Sequence, residues 1–198
     1  MILSHTPTKR EIVSFVVFGD GRYDFRVLKA ICEKFNGAKE LVSPQLQGAK
    51  GLTNSLRSVA KLLDILRINV EKTKFVILID KEHIGDIKQM KKKITEFFIS
   101  ESIKEDVQKQ FFKFKILRGS KKTTLYIIVM GYNKCIEENI SHLIEKIYGE
   151  RVAPTRQSIR EFLRRKGINF EDLIRRASQK ALNEAFGNVV ELLKEIDR

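Results

Sequence analysis

Four carboxylates stand out by where they fall in the chain. Residues 75–79 (FVILI) form an unbroken apolar run that stops at Asp80 and Glu82. An earlier run, 12–18 (IVSFVVF), is apolar in six of seven positions and ends at Gly19-Asp20-Gly21, with Asp24 close behind. Short runs of bulky and β-branched residues suit strands buried on both faces of a parallel sheet. Ligands of open α/β sheets sit beyond the carboxyl ends of the strands, so both pairs of acids lie where chemistry is usually done. A spacing of two puts Asp80 and Glu82 on one side if strand geometry persists through Glu82. Three or four carboxylates in one pocket repel one another unless a cation lies between them. Such hard oxygen ligands suit Mg²⁺ or Mn²⁺, completed by waters and phosphate oxygens. The same acids also admit a structural reading, with Asp80 as a helix cap and Asp24 as a first-turn acid.

Rival chemistries fail on specific residues. Gly19-Asp20-Gly21 begins like a dinucleotide fingerprint, but Asp24 stands at the third glycine, where an acid repels a bound pyrophosphate. No P-loop is present. Cys32 and Cys135 lie far apart, each in a predicted helix, and there is no CxxC motif or Cys/His cluster to hold zinc. Both read as small core residues of a reducing compartment. No apolar run is long enough to span a bilayer, and the first residues carry no useful signal-peptide core. The expectation is a cytoplasmic protein with no membrane partner. His83 stands beside the acids, but a lone histidine is seldom a ligand.

The elements that must position these acids follow from the pattern. Residues 1–10 read as a loose arm. The strand at 12–18 leads into a helix with Phe25, Leu28, Ile31, Cys32 and Phe35 on one face. A short strand at 38–42 and a Gly- and Pro-bearing loop, 43–51, come next. Leu52, Leu56, Val59, Leu63 and Leu66 mark a second amphipathic helix. After the 75–79 strand, a helix is predicted from about Asp86 to Ser100, its outer face carrying Lys88, Lys91, Lys92 and Lys93. Residues 101–110 show no clear period. Residues 111–117 alternate Phe112, Phe114 and Ile116 with Lys113 and Lys115, the mark of a half-exposed strand. A buried strand at 125–130 and a helix bearing Ile136, Ile140, Leu143 and Ile147 complete the pattern.

Alternation of strands and helices predicts an α/β domain with a mainly parallel sheet flanked by helices, over residues 1–150. A boundary at 149–154 separates it from a helical extension, 151–198. There, Ser158 with Glu161 suggests one capping box. Asn169 with Asp172 suggests another, opening a long helix to about Ile196 that Gly187 bends.

The net charge of +13 and pI of about 9.8 point to a polyanionic partner, nucleic acid being the commonest. Lys91, Lys92 and Lys93 form one cationic cluster. Arg156, Arg160 and Arg164 recur every four residues on one helix face, a stripe that can track a phosphate backbone or simply face solvent.

The order strand–Asp20-Gly21-x-x-Asp24–helix, then strand–Asp80-x-Glu82, resembles a TOPRIM domain, the catalytic module of topoisomerases, primases and old nucleases. The resemblance covers roughly residues 12–148. Gly48-Ala49-Lys50 resembles the glycine-bearing loop of stand-alone members, and Ile136-Glu137-Glu138-Asn139-Ile140 resembles their late Glu-bearing helix start. The family pattern has Glu where Asp20 stands and Asp where Glu82 stands. The resemblance implies a TOPRIM-like, Rossmannoid fold and a role in nucleic-acid handling with Mg²⁺-dependent phosphodiester (nuclease-type) or phosphoryl-transfer chemistry. It implies Asp20 as the catalytic proton carrier and Asp80, Glu82 and Asp24 as ligands of Mg²⁺ (or Mn²⁺). Lys50 joins the two basic clusters as an expected nucleic-acid contact. The alternative is a non-catalytic nucleic-acid-binding or scaffold module that keeps the fold. A receiver-like phosphate-accepting domain is a third reading, but the usual adjacent acid pair is missing. Oligomeric state is not legible in the residues.

Overall fold

The computed structural model describes residues 1–198 except 9, 20, 21, 36, 37, 45–49, 67–71 and 198, and the side chain of Arg22. Within these bounds the chain runs β1 (Ile2–Ser4), β2 (Ile12–Phe18), α1 (Arg22–Glu33), β3 (Glu40–Val42), α2 (Gly51–Ile65) and β4 (Lys74–Asp80). A single 3₁₀ turn (Lys81–His83), α3 (Ile87–Thr95), β5 (Ile99–Asp106), β6 (Phe111–Arg118) and β7 (Lys121–Met130) follow. The chain closes with α4 (Ile136–Tyr148), α5 (Arg156–Arg165), α6 (Phe170–Arg176) and α7 (Gln179–Asp197).

The described strands form one seven-stranded sheet in the order β1-β3-β2-β4-β7-β6-β5. The first five in that order are mutually parallel, and β6 and β5 extend the sheet antiparallel. The expected mainly parallel α/β architecture is therefore present. From β2 the chain moves outward to β3, then crosses back to β4 on the opposite side of β2. That reversal puts a topological switch point between β2 and β4, the kind of place where open α/β sheets bind ligands.

Period-two alternation divides the sheet's side chains between two cores. Val76 and Leu78 of β4, with Tyr126, Ile128 and Met130 of β7, face α1, α4, α5, α6 and α7. Phe75, Ile77 and Ile79, with Leu125, Ile127 and Val129, face α2 and α3. Both central strands are thus apolar on each face, which is why they read as continuous runs. The helices after residue 150 share one core with α1 and α4: Phe162, Leu173, Ala181, Phe186, Val189 and Leu193 all lie within it.

Several expectations need correction. The first residues are not a loose arm, because Ile2–Ser4 pairs parallel with β3 and Leu3 is buried. The helix expected to reach Ser100 stops at Thr95, since Phe98 turns into the α2–α3 core and Ile99–Asp106 pairs with β6. Antiparallel pairing outweighs the helical spacing of Phe97 and Phe98 there. The N-cap of α5 is Thr155, which accepts from Ser158 N, rather than Ser158 itself. The Asn169–Asp172 capping box is present, but the helix it opens is short. Ala177 is extended, and Ser178 starts α7 by accepting from Ala181 N at 3.1 Å. The bend in α7 falls at Phe186 (φ −132°, ψ 37°), next to Gly187. Cys32 is buried inside α1 as expected, whereas Cys135 is the N-cap residue of α4 and half-buried. Among the described residues, no helix is long and apolar enough to cross a membrane.

Candidate functional site

The β2–β4 pairing brings the two acid-bearing strands side by side, with Phe18 opposite Leu78. Gly19 is clamped at this point. Its N–H donates to Leu78 O at 2.8 Å, and its carbonyl accepts from Gly51 N, the start of α2, at 2.9 Å. A Cβ at Gly19 would lie 2.7 Å from Ile79 Cγ1, so only glycine lets β2 turn this close to β4. Asp20 and Gly21 come next in sequence and lie outside the described residues, as do Gly48 and Ala49 of the loop before α2.

Asp24 occupies the first turn of α1 and is 3% exposed. Asp80 ends β4 and is 4% exposed. Its Oδ1 accepts from Ile136 N, the first residue of α4, at 2.9 Å. An acid at the end of one strand thus caps the helix that follows the next, where the helix dipole favours negative charge. Aspartates are almost never fully buried unless paired, so one at the end of β4 and one in the first turn of the helix after β2 mark this edge as unusual.

Glu137, in the first turn of α4, is a further buried acid on this edge, at 4% exposure. Burial alone would push its carboxyl up. Hydrogen bonds from the Arg156 guanidinium and the Cys135 thiol outweigh that and hold it below the ordinary range. Arg156 Nε reaches Glu137 Oε1 at 2.6 Å, and its guanidinium also feels the charge of Asp24 and lies 5.6 Å over the Tyr23 ring. Burial, and then Glu137, push the Tyr23 phenol up to about 12, against the opposing fields of Arg156, Arg26 and Arg160. Tyr23 is therefore a neutral hydroxyl at working pH. Burial, then the hydrogen bond to Glu137, push the Cys135 thiol up to about 12, with Asp80 adding to the shift. A thiol held protonated in this way is not a nucleophile. These couplings run from Asp24 through Arg156 and Glu137 to Cys135 and Asp80, along one edge of the sheet.

Glu82 does not join this line. The strand stops at Asp80 and the chain coils into the 3₁₀ turn, so the period-two alignment with Asp80 ends there. The Glu82 backbone N–H donates to Lys134 O at 2.9 Å. Its carboxylate, 41% exposed, faces Lys134 Nζ at 3.9 Å and His83 Nε2 at 4.0 Å. Glu138 serves the backbone: its Oε2 accepts from the N–H groups of Tyr132, Asn133 and Lys134 at 2.6, 2.7 and 3.1 Å.

Among the described residues, no group of three or more His, Cys, Asp or Glu is placed to hold a metal ion. The buried acids on this edge are Asp24, Asp80 and the Arg156-bound Glu137, and the first two are the candidate donors. One or two carboxylates with waters and phosphate oxygens are the usual Mg²⁺ set, so the donor chemistry fits a hard cation brought in with a phosphate.

The cationic candidates separate by surroundings. Lys91 is bound to Glu105 at 2.6 Å. Lys92 is exposed, Lys93 is half-buried, and Lys50 is exposed just before α2. Arg160 is exposed and near enough to act on Tyr23. Arg164 is exposed and lines an open groove of about 680 Å³ with Arg151 and Arg165. Tyr23 and Arg26 were not among the residues expected to form the site, and the pairing of Glu137 with Arg156, each named separately from the sequence, was not expected. Their only sequence signal is proximity to Asp24 and to the Glu-bearing helix start.

No protein-family model, no curated protein and no solved structure matches the chain.

Proposed function

We propose that this chain is a TOPRIM-like nucleic-acid-handling protein whose β2–β4 switch point carries out Mg²⁺-dependent phosphodiester chemistry of the nuclease type. One observation carries the reading: Asp80, at the end of β4, and Asp24, in the first turn of the helix after β2, are both buried at the carboxyl edge of two adjacent parallel strands, with the Arg156 guanidinium feeling the charge of Asp24. Asp24 and Asp80 would hold the cation, with Asp20, next in sequence after Gly19, as the proton carrier. A bound Mg²⁺ would supply Lewis-acid stabilisation of phosphate charge and an activated water. Arg156 and Arg160 would orient the phosphate by charge-assisted hydrogen bonds. Arg164 and its groove, with Lys50, Lys92 and Lys93, would hold the backbone further along.

The test is incubation of end-labelled DNA and RNA, single- and double-stranded, with Mg²⁺, Mn²⁺ or chelator. Metal-dependent cleavage that disappears in Asp80→Asn and Asp24→Asn supports the proposal. Binding without cleavage under every condition removes the catalytic half.

A second reading, a non-catalytic nucleic-acid-binding or scaffold module, has its own support. Glu82 faces Lys134 and Glu137 faces Arg156, so two acids of the region are neutralised by the protein's own cations. The cleavage experiment separates the two readings.

A further inference from the structure

We infer that a second recess on the same edge of the sheet receives one unstacked nucleobase of a single strand; this rests on the nucleic-acid reading above. β7 ends at Met130, which pairs in register with Asp80. Gly131 then turns the chain sharply (φ +80°), and a Cβ there would lie 2.4 Å from Cys135 N. The loop so formed serves both places. One end gives Ile136 N to Asp80, and the other presents Tyr132 at a cavity of about 160 Å³ between the β5–β6 turn and the bend of α7.

The cavity is lined with carboxamides: Gln108, Gln110, Asn139, Asn183 and Asn188, with Tyr132 among them. Two of these amides are committed. Asn139 accepts from Gly131 N at 2.6 Å and donates to Ala185 O at 2.7 Å. Asn188 donates to Val129 O at 2.7 Å and accepts from Val189 N at 2.8 Å. These buried bonds fix the shape of the recess. Gln108 and Asn183 are exposed at its rim, Asn183 Oδ1 accepting from Gln179 Nε2 at 3.3 Å on the surface, and Gln110 reaches Tyr132 O only at 3.5 Å. A carboxamide offers a donor and an acceptor side by side, the pattern that a base edge presents in return.

Tyr132 is 46% exposed, and its ring packs edge-on against His142 at 85°. An aromatic ring at the rim of an amide-lined recess is the stacking platform that single-stranded binders use. The charged side chains of the lining are already paired, Glu184 with Lys146 at 2.6 Å and Lys109 with Glu191 at 3.2 Å. A near-neutral recess suits a base better than a phosphate. A cavity of about 150 Å³ is enough for a benzene ring, so this one admits a single base ring.

The experiment compares binding of the full chain, at low salt, to a short labelled pyrimidine oligonucleotide and to an abasic strand of equal length. The intact strand should bind about tenfold tighter, the gain from stacking one base on one aromatic ring. Tyr132→Ala should remove that preference and leave abasic affinity unchanged, while Tyr132→Phe retains it. Asn183→Ala, at an exposed helix position, should lower the same preference. Equal binding of both strands by the unaltered chain, or a preference that survives Tyr132→Ala, overturns the inference alone. If neither strand binds, the nucleic-acid reading falls and takes the inference with it. Tyr132-dependent binding of a nucleoside monophosphate, with both strands bound alike, would assign the recess to free nucleotides and overturn the strand-bound form.

Discussion

The Arg156 guanidinium of α5 meets the Glu137 carboxylate of α4 at 2.6 Å, joining an arginine side chain that is 61% exposed to an acid that is almost wholly buried. The pair ties α5 to the edge of the sheet where Asp24 and Asp80 lie. Removing the arginine leaves a buried carboxylate without its cation. Arg156→Ala should therefore destabilise the fold by about 1–3 kcal/mol, toward the lower end because solvent screens the exposed partner. Arg156→Lys should recover part of the loss. Urea midpoints of the three proteins decide it, and an unchanged midpoint for Arg156→Ala would show the pair to be idle.

The same contact sets a pH dependence. The Glu137 carboxyl is held below the ordinary range by Arg156 and Cys135, despite burial. A depressed folded-state value gives stability that is present above the unfolded value, about 4.3, and is lost as pH falls through the folded one. The stability gap between the native chain and Glu137→Gln should therefore narrow on acidification below about pH 4.3. Chemical denaturation at a series of acidic pH values measures it, and a gap constant with pH would contradict the assignment.

Lys34 joins α1 to the end of α6. Its Nζ donates to the carbonyls of Ile174, Arg175 and Ala177 at 3.1, 2.8 and 2.6 Å. A cation there satisfies carbonyls that the helix end leaves open. Lys34→Met should cost about 1–2 kcal/mol and speed hydrogen exchange in α6 ahead of the sheet. Uniform exchange through both regions would mean that Lys34 does not hold this junction.

What the sequence made legible follows from local pattern. The runs at 12–18 and 75–79 are apolar on both sides because both strands are covered on both faces, and Phe112, Phe114 and Ile116 alternate with lysines because the other side of β6 meets Glu195 of α7 at Lys113 and solvent at Lys115. β5 was not legible. It is an edge strand with a register shift between Ser102 and Lys104, so no period-two pattern survives in ISESIKED. β1 is three residues long and depends on β3, to which nothing local points. Within the site, strand-end acids were visible because strand ends are. The 3₁₀ turn that diverts Glu82 and the 19-residue separation between Glu137 and Arg156 are tertiary facts. Asp20, the expected proton carrier, lies outside the described residues.

The cationic surface should divide by whether each charge is already paired. Lys91 is bound to Glu105, whereas Arg160 and Arg164 have no ion pair among the described residues. Arg160→Glu with Arg164→Glu should weaken binding to DNA or RNA for all sequences alike and lower the slope of log affinity against log salt by about 2. Lys91→Glu should do much less. Titrations at several salt concentrations measure both, and equal losses would place the contact face elsewhere.

The central claim is that Asp24 and Asp80 share a cation at the β2–β4 switch point. Asp80→Asn removes one charge and keeps an oxygen for Ile136 N, so the helix cap survives. The direct measurement is thermal melting of the native chain, Asp24→Asn and Asp80→Asn, with and without Mn²⁺, in the presence of a short oligonucleotide. A ligand bound only by the folded state raises the melting temperature. The account predicts a Mn²⁺-dependent rise in the native chain that is lost in both variants. A rise of equal size in all three proteins, or none in the native chain, would contradict it.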